Sequence, residues 1–186
     1  MRQMLLYALC IMLLSCGNNA TEPAKSAASD SSVNSAAPSK PRPTEFADEK
    51  YKEIGKKGLA QLSGGDIDGW MGSFADNAVY SWSTGDSLVG KEAIAKYWKE
   101  RRTKVLDSLG FSLDIWLPIK VNQPQQGPDM PGVWLLGWYQ VHANYKGGKK
   151  LVFWVHTDQH FNDKDQVDRV VQYIDRAPIE KAMAHK

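Results

Sequence analysis

The pattern of apolar and polar residues is most informative at 64–82, where a helical period gives way to a strand. Gly64 and Gly65 can end one helix, and the Asp66 side chain can accept hydrogen bonds from the first N–H groups of the next. Large apolar residues then recur at the spacing of one helical face: Ile67, Trp70, Met71 and Phe74. A turn at 76–77 and the β-branched and aromatic residues at 78–82 predict that a strand follows directly.

Two further helices are predicted, one on each side of this stretch. The first begins at Thr44 or the acidic residues after it, with apolar positions three or four residues apart: Ala47, Tyr51, Ile54, Gly58 and Leu62. Glycines at 55 and 58 weaken this helix unless close packing requires them. The other opens at 90–92 and carries Ile94, Tyr97, Trp98, Arg101 and Val105 along one side.

The second half of the chain has the two-residue period of half-buried strands. We predict strands at 109–121, 133–145, 150–161 and 167–175, with a loop rich in proline and glycine at 122–132. Three helices followed by these strands predict an α+β fold with a strongly bent antiparallel sheet.

A two-residue hairpin turn is predicted at Gly147-Gly148, which pairs residues 146 and 149. This register assigns the faces of the two longest neighbouring strands. One face would carry Trp134, Trp138, His142, Phe153 and Thr157, and the other Tyr139, Trp154 and His156. Both faces have bulky side chains, so neither is expected to be fully solvated.

The N-terminal residues have the features of a bacterial export signal. Arg2 precedes an uncharged run at 4–14 that is too short to span a bilayer and has the length of a signal-peptide core. Leu-Leu-Ser-Cys-Gly at 13–17 resembles the lipobox of bacterial lipoproteins, which implies cleavage before Cys16 and its acylation. An ordinary secretory peptide with an incidental cysteine is the alternative. We expect export and lipid anchoring to a bacterial cell membrane, at the outer membrane or the periplasmic face.

Domain boundaries follow from this motif and from composition. We expect a lipoprotein signal peptide at 1–15, the lipidated Cys16 and a disordered linker at 16–43, and one domain at 44–186. The linker is either a spacing stalk or a segment without a role. With Cys10 and Cys16 both outside the domain, no thiol remains for a disulfide or a thiolate metal site. Lys and Arg total 23 against 21 Asp and Glu without a basic block, so nucleic acid is not an expected partner.

Several segments of the domain together resemble one superfamily. They are Gly65-Asp66-Ile67-Asp68, Phe74-Ala75-Asp76-Asn77-Ala78-Val79-Tyr80, Leu88-Val89-Gly90-Lys91-Glu92-Ala93-Ile94 and a last strand that ends in Asp175. The resemblance is to the nuclear transport factor 2-like superfamily, most closely to its SnoaL-like branch, over about residues 46–177. It implies a cone-shaped, curved antiparallel sheet wrapped around three N-terminal helices and an apolar pocket, often in homodimers.

The resemblance leaves the activity open, because this fold carries isomerases, cyclases, dehydratases and binding modules. Ketosteroid isomerase-like members place an acid where this chain has Ser81 and Trp82, neither of which is a base at neutral pH. SnoaL-like cyclases use an aspartate, and of the late acids only Asp175 matches a family position, one that non-catalytic relatives share. His142 is either a general base or a core histidine with one hydrogen bond.

The segment His156-Thr157-Asp158-Gln159-His160 is a candidate metal site, because alternate residues share a face. The two histidines would be separated by ~13 Å along a strand, too far for one ion. At most His156 and Asp158 could bind together, so we expect no metal site and no cofactor.

Aromatic residues point to a ligand pocket. The residues expected to line it are Tyr80, Trp82, Trp98, Trp116, Trp134, Trp138, Phe153 and Thr157. Flat rings suit a small apolar or aromatic molecule, whereas the alternative is that the rings fill the core or a dimer face. We expect a non-catalytic binding domain. The alternatives are an acid/base enzyme that uses His142 and Asp175, and an envelope interaction module whose outer sheet face binds a protein or a second copy.

Overall fold

The computed structural model describes residues 40–125 and 130–183. In chain order the elements are β1 (Thr44–Phe46), α1 (Lys50–Gly64), α2 (Ile67–Met71), β2 (Phe74–Trp82), β3 (Ser87–Val89), α3 (Lys91–Glu100), a π-helical turn (Arg101–Val105), β4 (Leu106–Val121), β5 (Gly132–Tyr145), β6 (Lys150–Phe161), β7 (Val167–Tyr173) and α4 (Ala177–Met183). The predicted signal peptide, Cys16 and the linker up to residue 39 lie outside the described residues. No helix within the described ranges is long and apolar enough to cross a membrane.

One sheet of seven strands, in the order β1-β4-β5-β6-β7-β2-β3, packs its inner face against the helices. This α+β architecture with a curved sheet confirms the predicted fold class. The prediction that the sheet is entirely antiparallel is wrong, because β2 and β7 pair in parallel, Tyr80 opposite Val170. The sheet bends where the β4–β5 register shifts between Ser112 and Ile115, beside Leu113 at a φ of 54°.

The two ends of the domain differ from the prediction. Thr44–Phe46 forms an edge strand on β4 instead of beginning a helix, and α1 starts at Lys50, whose N–H donates to Asp48 Oδ1 at 2.8 Å. At the other end the chain continues into α4 with Pro178 in the first turn, where the missing N–H of proline costs no helical hydrogen bond. Ile179 of α4 is buried against the core.

The two interior glycines of α1 sit at close contacts, as their position in a helix suggested. A Cβ at Gly55 would lie 2.9 Å from Trp116 Cζ3, and one at Gly58 would lie 3.2 Å from Trp70 Nε1. The prediction that close packing requires these two glycines is therefore confirmed. Glycine lowers the intrinsic helix propensity of α1 at these positions, but it lets the helix pack closely against the sheet and against α2.

The β5–β6 hairpin has a three-residue loop instead of the predicted two-residue turn. Tyr145 N–H donates to Lys149 O at 2.7 Å, and both loop glycines have positive φ, 96° at Gly147 and 90° at Gly148. Ala143 consequently lies opposite Leu151. The register differs by one residue from the prediction, and such a shift moves every side chain of one strand to the other face. The predicted face assignment is therefore wrong.

Candidate functional site

A cavity of about 100 Å³ lies between the helices and the inner face of the sheet. The residues that line it belong to α1, α2, β2, α3, β4, β5, β6, β7 and α4. Its aromatic lining consists of Trp70, Phe74, Tyr80, Trp82, Tyr97, Trp98, Phe111, Tyr139, Tyr145 and Phe153. The volume is below the about 150 Å³ of an engineered apolar cavity that binds benzene, so a single ring is the largest apolar body that this cavity takes, and only with some adjustment of its lining.

Two buried tyrosines supply hydroxyl groups to the cavity. Burial raises the pKa of Tyr139 to about 12, against the opposing influence of the nearby Thr157 and Gln172 side chains. Burial also raises the pKa of Tyr80 well above its ordinary value. The Thr157 Oγ1 is buried and makes no hydrogen bond of normal geometry within the described residues, although the Tyr139 hydroxyl is close by. At neutral pH both tyrosines are uncharged hydrogen-bond donors.

A chain of aromatic contacts forms one wall. Trp82 packs on Tyr80 with ring centroids 5.0 Å apart and on Tyr97 at 5.3 Å, and its Nε1 donates to Gln172 Oε1 at 2.9 Å. Trp98 meets Trp70 edge to face at 5.6 Å. These rings pack edge to face or tilted on one another, so they form a continuous apolar wall.

Arg101, where α3 passes into the π-helical turn, brings a positive charge to the cavity. Its Nη2 donates to the Tyr145 hydroxyl at 3.3 Å, and its guanidinium lies 6.0 Å from the centre of the Tyr145 ring. Trp98, three residues earlier, has a buried Nε1 with no acceptor within the described part of the chain. Both side chains line the cavity.

The C-terminal helix α4 closes one side of the cavity with Ile179, Glu180 and Met183. The chain leading into α4 is tied to the β2–β3 turn by Arg176, which pairs with Asp86. Arg176 also lies 3.9 Å from Glu180. The charge of Arg176 is thus balanced by neighbouring carboxylates.

The structure divides the predicted ligand-binding residues into two groups. Those on the cavity are Tyr80, Trp82, Trp98, Phe153 and Thr157. Trp116, Trp134 and Trp138 are not among its lining residues, and their predicted position is wrong. Trp116 fills the space between α1 and the sheet. Trp134 and Trp138 are on the outer face, where Trp134 Nε1 donates to Met130 O at 2.9 Å and Trp138 stacks on His156 at 4.5 Å.

The two predicted catalytic residues also lie outside the cavity. His142 is exposed on the outer face, where its Nε2 is 2.7 Å from Ser112 Oγ, because the one-residue register shift reversed its expected relation to Phe153. Asp175 follows β7 and is exposed, and its Oδ1 accepts the Ala177 N–H at 3.0 Å at the start of α4. Asp175 thus has a structural role, because it accepts the N–H of the first residue of α4.

Two histidine–aspartate pairs occur away from the cavity. His156 Nε2 lies 2.8 Å from Asp158 Oδ1, and burial raises the pKa of Asp158, against the lowering effect of His156. His160 is buried and lies 2.6 Å from Asp168 Oδ1. No cluster of three or more histidine, cysteine or acidic side chains suited to a metal ion occurs within residues 40–125 and 130–183.

Sequence reasoning missed several residues that line the cavity. The register error places Tyr139 and Tyr145 on the other face, and the sequence alone did not identify Gln172 as a lining residue. The alternation along β5 contained a signal, since its odd-numbered residues are apolar or tyrosine, whereas its even-numbered residues include Gln140, His142 and Asn144. Histidine and aspartate are absent from the lining residues of this cavity, and Glu180 of α4 is the one carboxylate among them.

Comparison with solved structures relates the chain to several proteins. A candidate isomerase from Bacillus subtilis gives a TM-score of 0.58 at 18% identity, over 74% of this chain and 95% of that chain. PrhC from Penicillium brasilianum NBRC 6234 gives 0.57 at 12% identity, over 73% and 87%. A candidate polyketide cyclase from Xanthomonas campestris pv. campestris gives 0.54 at 15% identity, over 72% and 93%.

Neither the family models nor the curated proteins compared with the chain gave a match. Identities below one fifth establish a common fold and leave activity open. The curved sheet, the helices on its inner face and these similarities agree with the resemblance found in the sequence. The chain therefore has the nuclear transport factor 2-like fold, shared with proteins described as isomerases and polyketide cyclases.

Proposed function

We propose that the domain binds a small apolar or aromatic molecule in its cavity without acid/base catalysis. The observation that carries the proposal is the lining itself: packed aromatic rings, uncharged tyrosine donors, and neither histidine nor aspartate, whereas its one carboxylate, Glu180, is exposed and lies 3.9 Å from Arg176. A general base must reach the proton that it removes, and His142 on the outer face cannot reach this cavity.

Titration of the purified protein with phenol, benzamide and benzoate, followed by tryptophan fluorescence, tests the proposal. Saturable binding of at least one compound is expected. Ala143→Leu should weaken it because Ala143 lines the cavity, whereas Val152→Leu on the exposed outer face should not. A thermal melt of each variant shows that it is folded. Failure of all three compounds to bind would overturn the proposal.

The chain is further proposed to be exported and anchored in a bacterial cell membrane through acylated Cys16. The support is the charge, apolar run and Leu-Leu-Ser-Cys-Gly motif at the N-terminus. In detergent phase separation of cells that make the full chain, the protein should enter the detergent phase. Cys16→Ser should move it to the aqueous phase, and an unchanged partition would contradict the anchor.

The outer sheet face is proposed as the contact between two copies of the chain. Exposed apolar side chains of β4, β6 and β7 lie there: Ile115, Val152, Trp154 and Tyr173. Tyr139, which was predicted to share this face, instead lines the cavity. Sedimentation of the wild type should give a dimer and that of Trp154→Asp a monomer, because a charge at the centre of an apolar contact opposes association. Identical sedimentation profiles would count against this contact.

A further inference from the structure

The cavity contains one positive charge without a counter-ion. Arg101 makes a hydrogen bond to the uncharged Tyr145 hydroxyl, and no carboxylate within the described residues pairs with it. The other arginine on the cavity, Arg176, is paired with Asp86. A guanidinium presents five donors in a planar fork and keeps its charge at ordinary pH, so an unpaired one favours an anionic acceptor.

A neighbouring polar group also lacks an acceptor. Trp98 Nε1 can only donate, and it is buried without a partner in the described region. Trp98 and Arg101 are three residues apart, so their side chains leave the same side of the helix, and both line the cavity. The hydroxyls of Tyr80 and Tyr139 are uncharged and interact with the Gln172 side chain, and that of Tyr139 also with Thr157, so they are not unpartnered donors. A buried donor without an acceptor carries a desolvation penalty that a suitable ligand would remove.

We propose that the ligand is a small organic monocarboxylate, with an apolar body no larger than one ring and its carboxylate on Arg101. The inference rests on the proposed binding function. The cavity of about 100 Å³ limits the apolar body, and the partly exposed position of Arg101 places the charged group at the edge of the cavity. Two carboxylate oxygens match the guanidinium fork and leave a lone pair for the Trp98 N–H.

Calorimetric titration with benzoate and with its uncharged isostere benzamide tests the charge preference. Benzoate should bind the wild type at least about 10-fold more tightly than benzamide, which is the usual advantage of a hydrogen bond to a charged group. Arg101→Gln should remove that advantage and leave benzamide affinity within about 3-fold. Arg101→Lys keeps the charge and loses the fork, so an intermediate preference is expected.

Arg102→Gln is the matched control, because it removes the same charge from the adjacent residue. Arg102 donates to Ser63 O at 3.3 Å and is not a lining residue. The Arg102→Gln variant should prefer benzoate over benzamide by the same factor as the wild type. Trp98→Phe keeps a ring and removes the N–H, and it should weaken benzoate more than benzamide.

The outcomes separate the two proposals. Benzamide binding as tightly as benzoate would overturn the carboxylate assignment and leave a binding cavity. An equal loss of benzoate affinity in Arg101→Gln and Arg102→Gln would also overturn it, since the effect would then be one of net charge. If benzoate, benzamide and phenol all fail to bind, both proposals are overturned.

Discussion

The indole of Trp116 lies over Gly137, its partner across the β4–β5 pair, and occupies the space that a side chain at residue 137 would need. The same ring touches Gly55 of α1, where a Cβ would lie 2.9 Å from Trp116 Cζ3 and 2.8 Å from Leu135 Cδ2. Two glycines on different elements therefore make room for a single large ring, and the distance between α1 and the sheet depends on both.

Gly137→Ala should lower the free energy of unfolding by about 1–3 kcal/mol, because the added methyl group has no space beside the indole. Urea unfolding at neutral pH measures the change. Gly110→Ala is the control: it also lies in a strand, and its Cβ would meet only His142 Cβ at 3.9 Å. Equal effects of the two substitutions would show that the Trp116 contact does not limit the packing.

Alkaline pH should destabilise the fold through Tyr139. The pKa of this tyrosine is raised from 10.0 to about 12 in the folded protein. The unfolded chain therefore loses its proton first, binds fewer protons than the folded state above about pH 10, and becomes favoured as the pH rises. The shift corresponds to about 3 kcal/mol for this group once the pH exceeds the folded pKa.

Tyr139→Phe isolates this contribution. Unfolding free energies of the wild type and the variant are compared at about pH 9 and about pH 12, and the variant should lose less stability between them. Other ionisable groups contribute equally to both proteins, so only the difference is interpreted. A loss as large in the variant as in the wild type would contradict the assignment to Tyr139.

Helix α4 should control access to the cavity. Ile179 anchors it in the core, and Ile179→Ala should weaken this short helix by about 2–5 kcal/mol locally. Amide hydrogen exchange in residues 177–183 should then speed up, and ligand association should become faster. Pro178→Ala, at an exposed neighbouring position, should change neither rate. Faster exchange without faster association would show that ligands enter elsewhere.

Asp66 tests the start of α2. Its Oδ1 accepts the Gly69 N–H at 2.9 Å, and Asp66→Ala should cost about 1 kcal/mol of unfolding free energy. Asp66→Asn should cost little, because asparagine caps a helix about as well. A thermal or urea unfolding series compares them. Equal losses in the alanine and asparagine variants would point to the carboxylate charge and not to the cap.

Local patterns predicted much of this fold. The Asp66 cap and the apolar spacing after it identified the start of α2, but the helix ends at Met71, and Phe74 and the predicted turn at 76–77 belong to β2. The two-residue period located the long strands because every second side chain of each faces the core. The cap prediction needed only neighbours in sequence. Helix α4 was missed because a helix of seven residues has too few turns to show a periodic pattern.

The site was harder to predict than the fold, because it depends on register. An additional loop residue at Lys146 shifted β6 against β5 and reversed which residues share a face, so His142 and Phe153 were wrongly placed together. No local signal distinguishes Trp98, which lines the cavity, from Trp116, which fills the core. That difference arises from contacts between residues distant in sequence.

The parallel pairing of β2 with β7 imposes an order of events during synthesis. Residues 74–82 are made early, but apart from the short β3 they gain a neighbouring strand only when residues 167–173 have appeared. Nearly the whole domain must therefore leave the ribosome before β2 and β7 can pair. Contacts between residues so far apart in sequence also form slowly. Until then the aromatic side chains of residues 74–82 cannot pack against β7. The nascent chain therefore keeps an incomplete sheet until residues 167–173 have been synthesised.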